Sequence, residues 1–90
     1  MNISDIRIRI VKSETSKIKA SASITIDDCF CIHDIKVIEG NQGNYIAMPS
    51  KKTPEGVFID IVHPLNTETR NKISDLILAK YEEEKNKPQE

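Results

Sequence analysis

An α+β fold, a five-stranded antiparallel meander sheet with one C-terminal helix packed against it, is what this sequence predicts. Three observations carry that expectation. Apolar and polar residues alternate with period two through residues 3–12 and again through residues 17–26, as in strands with one buried face. Gly40-Asn41-Gln42-Gly43 and Thr53-Pro54-Glu55-Gly56 are turn sequences that cut the middle of the chain into short segments. After His63-Pro64, Ile73, Leu76, Ile77 and Tyr81 recur at helical spacing, and a helix buries one stripe of this kind.

Ninety residues make one domain, because two would each be too small to bury a useful core. The domain is expected over residues 1–82, and residues 83–90 form a charged tail. The hydrophobic fraction is 38% and the aromatic fraction 4%, so the core must be built from Ile, Val and Leu. Net charge is −1, which argues against a surface coated for polyanions. Distribution matters more than the sum. Residues 1–26 carry Arg7, Arg9, Lys12, Lys17 and Lys19 against Asp5 and Glu14, whereas residues 27–63 have twice as many acids as bases. Any polyanion surface is therefore local. The sequence has no membrane-length apolar run and no signal-peptide pattern, so a cytoplasmic chain without membrane contact is expected. Cys29 and Cys31 lie one residue apart on a predicted strand, a spacing that rarely suits a disulfide, and free thiols are expected.

In the first segment Ile6, Ile8 and Ile10 point one way, and Arg7 and Arg9 the other. Ser13 to Ser16 reads as a loop. The second strand, residues 17–26, sets Ile18, Ala20, Ala22, Ile24 and Ile26 on one face and Lys19, Ser21, Ser23 and Thr25 on the other. The two strands should form a hairpin whose outer face bears Arg7, Arg9 and Lys19. Asp27-Asp28 is a tight turn. The third strand, Cys29 to Ile38, changes parity midway, because Phe30 and Ile32 belong to one face and Ile35 and Val37 to the other. A bulge near His33-Asp34 would reset the register. Strand four is Tyr45 to Met48, stopped by Pro49, and Ser50 to Gly56 is a solvent-exposed loop. Strand five, Val57 to Val62, is apolar apart from Asp60 and is expected to see little solvent. Pro64 ends it, Asn66 or Thr67 caps the helix, and Glu68 suits the first helical turn. Leu78 is expected at the margin of the helical stripe.

The run MPSKKTPEGVFIDIVHPLN (residues 48–66), with ASITIDD, FCIHDIKVIEGNQG and the DIRIRIV opening, resembles the SpoVG family, the bacterial stage V sporulation protein G or septation regulator. The resemblance extends from about Ile3 to about Tyr81. It implies a small cytosolic homodimer that binds DNA, and in some members RNA, to regulate gene expression in septation- and sporulation-type processes. Where the family commonly has Lys-Arg after Met-Pro-Ser, this chain has Lys51-Lys52. A point charge then replaces a forked guanidinium, which weakens recognition of base edges.

Four groups of residues are candidates. Lys51 and Lys52, with Ser50 and Thr53, would contact nucleic-acid phosphates from the loop, the kind of contact that supplies affinity without sequence information. The competing account is a solvated turn with ordinary surface lysines. Arg7 and Arg9, with Lys19, would extend the basic path, or merely solvate the outer face of the sheet. Arg70 and Lys72 lie in the first turns of the helix, where positive charge opposes the dipole. Cys29, Cys31 and His33 superficially suggest a metal. Structural zinc takes four ligands, however, and one extended strand cannot wrap a tetrahedron, so the thiols are expected to be small buried hydrophobes. His33-Asp34 and Asp60 with His63 lack the partners of a catalytic site. No cofactor, metal or small-molecule substrate is expected, and the chain is not expected to be an enzyme. The alternative is a protein-interaction adaptor that works through a sheet edge or helix face without touching nucleic acid.

Overall fold

The structure, a computed structural model, describes residues 2–12 and 15–86. Part of the expected Ser13 to Ser16 loop and the last four residues of the tail lie outside that range. Strands β1 (Ile3–Ile10), β2 (Ile18–Ile26), β3 (Phe30–Gly40) and β4 (Gly43–Ala47) form an antiparallel sheet in sequential order. Strands β5 (Ser50–Lys52) and β6 (Phe58–Asp60) pair only with each other, and the chain ends in helix α1 (Thr67–Lys85). The α+β class is as expected. The single five-stranded meander is corrected to a four-stranded sheet plus a separate two-stranded hairpin.

The reason is local. Pro49 has no N–H to continue a ladder, so the chain leaves the sheet after Ala47. The turn at Thr53–Gly56 then brings residues 50–52 back onto residues 58–60, and so short a closure costs little chain entropy. Ser50–Lys52, expected as loop, is therefore strand.

The β1–β2 hairpin alternates as read from the sequence. Ala20, Ala22 and Ile24 are fully buried, and Ile6, Ile8, Ile10 and Ile26 pack against them. Asp27 and Asp28 both lie at positive φ, 52° and 57°, as the two central positions of a type I′ hairpin turn require. The Cys29 N–H closes that turn onto Ile26 O at 3.1 Å. The predicted bulge is present. Ala22 pairs with Ile35 and Ile24 with Ile32, so Ser23 alone faces both His33 and Asp34. This extra residue lets Ile32 and then Ile35 and Val37 all face the core.

Helix α1 begins at Asn66, whose Oδ1 accepts the Thr69 N–H at 2.7 Å, satisfying one orphan donor of the first turn. Ile73, Ile77 and Tyr81 are buried against Ile35, Val37 and Met48 in the same core cluster. Leu76, expected in that stripe, is instead 39% exposed, while Leu78 packs against the core. Two other expectations about burial fail. Val57, Phe58, Ile59 and Ile61 are exposed, because β6 lies in the hairpin and not over the sheet. Cys29 and Cys31 are free, as expected, but exposed, because Cys29 lies in the turn before β3 and Cys31, paired with Thr25, is on the face opposite to core-facing Ile32.

Candidate nucleic-acid interface

The second hairpin is held by its turn. The Gly56 N–H donates to Thr53 O at 2.9 Å, and the Thr53 N–H donates to Val57 O at 2.8 Å. The Val57 N–H donates back to Thr53 Oγ1 at 3.2 Å. Gly56 sits at φ +86°, a conformation L side chains rarely adopt. The hydroxyl oxygen of Thr53 is thus engaged inside the turn, and its first role is to shape the loop. Beyond β6 the Ile61 N–H bonds Pro49 O at 2.8 Å, which extends the ribbon by one step.

Register decides where the lysines go. Lys51 pairs with Ile59, and Lys52 with Phe58. Because side chains alternate along a strand, Lys51 and Ile59 share one face of the ribbon, and Lys52, Phe58, Ser50 and Asp60 the other. Two lysines read as a pair in a loop are therefore a cation on each side of a blade. Both are exposed, and neither is ion-paired among the described residues. Lys52 Nζ lies 6.0 Å from the centroid of the Phe58 ring, at the outer limit of a cation–π contact.

The other candidates are not gathered there. Arg70 and Lys72 are exposed, but two helical positions differ by about 200° around the axis, so they do not share one surface. Lys19 is only 21% exposed and lies 3.9 Å from Glu39 Oε2, which removes it from the free basic set. Arg7 and Arg9 lie on the outer face of the main sheet, where they line a cavity with Ser21, Ser23, His33 and Asp34. In the sequence the two serines stand only for a polar face, and the parity break at His33-Asp34 is the one signal that something is gathered around them. Cys31 Sγ stands 3.9 Å from His33 Nδ1, yet no group of three or more metal-ligating side chains occurs among the described residues. No helix among the described residues is long and apolar enough to cross a membrane.

A model of the SpoVG family matches residues 1–83. The chain belongs to the SpoVG family. It is 59% identical over 86 residues to a Clostridium acetobutylicum protein named "Putative septation protein SpoVG", covering 96% of this chain and 90% of that one. A protein of the same name from Clostridium perfringens is 57% identical over 86 residues, covering 96% and 94% of the two chains. Another from Caldicellulosiruptor bescii is 52% identical over 82 residues, covering 91% and 92%. The SpoVG match takes in both the hairpin and the sheet face, since it spans the chain from β1 to the last turns of α1.

Proposed function

We infer that this SpoVG-family chain is a nucleic-acid-binding regulator of gene expression. It takes DNA or RNA, acts as a homodimer in septation- and sporulation-type processes, and carries out no chemical reaction. The observation that supports this best is the hairpin, a two-stranded ribbon apart from the main sheet, with an exposed lysine on each face that has no ion pair among the described residues. The major groove of B-DNA admits a two-stranded ribbon. In that groove a cation on either face meets a phosphate wall on either side, and each phosphate neutralised releases counterions.

Replacing Lys51 and Lys52 together by Ala should weaken binding to all sequences alike. It should also flatten the dependence of log affinity on log salt by roughly one unit for each phosphate no longer neutralised. Gel shifts at several salt concentrations measure both. Binding with an unchanged slope would remove the hairpin from the mechanism.

One observation favours the adaptor as a second reading. Val57, Phe58, Ile59 and Ile61 form an exposed apolar run beside the lysines, and runs of this kind mark protein contacts. Affinity capture with and without nuclease separates the two readings: partners that survive nuclease support the adaptor, and loss of all of them supports nucleic acid.

A further inference from the structure

The solvent face of the four-stranded sheet departs from an ordinary wet face. Arg7 is opposite Ser23 and Arg9 opposite Ser21 in the β1–β2 register. On the other side of β2, Ser23 faces the two bulged residues His33 and Asp34 of β3. Two small hydroxyl side chains thus make a floor, with guanidinium groups along one wall and an imidazole and a carboxylate along the other. The cavity they line has a volume of about 340 Å³.

The bulge is what builds it. Asp34 holds φ +65°, a left-handed conformation that costs an L residue energy and recurs at functional sites. Bulges of this sort re-aim side chains. Here the bulge lets His33 and Asp34 both line the outer cavity while their neighbours Ile32 and Ile35 keep to the core side. Ser23 Oγ lies 3.0 Å from His33 Nδ1, which holds the ring over the floor and leaves Nε2 for a ligand. Arg7 gives Nε to Asp5 Oδ2 at 3.1 Å, so its two terminal amino groups stay available. Arg9 has no ion pair among the described residues. Lys36, paired with Ser21 in the register, adds a further cation at the rim.

We propose that this cavity recognises the phosphate of a sugar phosphate. Arg9 and the free amino groups of Arg7 receive the phosphoryl oxygens, since a guanidinium fork matches that planar geometry. The hydroxyl of Ser21 adds one donor, and with the Ser23 hydroxyl donating to His33 Nδ1 the ring presents its Nε2–H as another. Asp34 has no place against a phosphate. It accepts a hydrogen bond from a sugar hydroxyl, which selects a phosphate carried on ribose over the bare anion. The same chemistry is presented by a free nucleotide and by one residue of an RNA strand. The site is separate from the hairpin and stands or falls without it.

The test is an NMR titration of the full chain, following the His33 and Ser23 signals. The probes are inorganic phosphate, adenosine, adenosine 5′-monophosphate and a single-stranded RNA. Both phosphate-bearing small probes should give saturable shifts, tighter for the monophosphate, and adenosine none. Arg9→Gln should weaken the monophosphate roughly tenfold or more, the worth of a charge-assisted hydrogen bond, without lowering Tm, because Arg9 is exposed. Asp34→Asn should weaken the monophosphate without weakening inorganic phosphate, since it removes a negative charge from the cavity. RNA affinity that falls in Arg9→Gln identifies the strand as the source, and RNA affinity that does not, with the monophosphate lost, identifies a free nucleotide. The wild-type titration decides even if a variant fails to fold. The absence of saturable shifts from every phosphate probe, or shifts that Arg9→Gln leaves unchanged, would overturn the proposal. A Lys51→Ala plus Lys52→Ala variant that loses RNA but keeps the monophosphate shifts would separate a failure here from a failure of the hairpin reading.

Discussion

Asp27, Asp28 and Asp34 are the non-glycine residues at positive φ among the described residues, and each sits where a strand must turn or step. Aspartate tolerates that region better than most L residues, yet glycine tolerates it better still. At Asp27 the side chain has its own task, since Oδ1 accepts the Asn2 N–H at 2.9 Å. The N–H of Asp28 donates to Ser4 Oγ at 3.0 Å, a backbone bond that glycine keeps. Asp28→Gly should therefore stabilise the fold by roughly 0.5 kcal/mol, which raises Tm by about 2–4 °C for a domain of this size. Asp28→Val should lower Tm, and thermal unfolding followed by circular dichroism reads both signs. The Asp27-Asp28 turn was legible because its chemistry is local. The exposure of Cys31 was not, because parity predicts which face a residue joins and says nothing of whether that face is covered at that point.

Helix α1 shows the same division one scale up. Its start at Asn66 and its stripe of Ile73, Ile77 and Tyr81 follow from capping chemistry and spacing. Leu76 and Leu78, however, stand about 100° to either side of the stripe's centre on the helical wheel, so the sequence cannot rank them. The direction in which the helix lies across the sheet covers Leu78 and leaves Leu76 in solvent. Ile77, at 0% exposure, is the pin of that contact. Ile77→Ala should cost about 2–5 kcal/mol, a large part of the about 5–15 kcal/mol that holds a small domain together. A fall in the urea midpoint at unchanged m-value is the expected record. The hairpin is the converse case. Its turn was legible in Thr53-Pro54-Glu55-Gly56 and its second strand in the run after it, but the first strand and the pairing were not, because pairing partners are a long-range choice.

For the molecule as a whole, the exposed apolar surface is the feature that most needs a covering. Ile61 is 62% exposed and Leu65 90%, both beyond the hairpin that carries the two lysines. A second copy would remove this surface from water and add to the modest stability of so short a chain. Sedimentation should give twice the chain mass. Leu65→Asp should shift it to the chain mass with unchanged circular dichroism, because that side chain supports no part of the described core. A wild-type chain that sediments as a monomer at every concentration would leave the apolar run to a different protein and strengthen the adaptor reading.

Strand periodicity, the three turns, the bulge at His33-Asp34, the helix cap and the family resemblance are all determined by the sequence alone, because each rests on contacts between near neighbours or on a fixed period. The partner of β6, the burial of Leu78 over Leu76, the opposite faces taken by Lys51 and Lys52, and the cavity between Arg9 and His33 were decided only by the tertiary structure. Each of these depends on which distant segment pairs or packs against which, and a one-step change of register or a different docking angle would alter all of them without changing a residue.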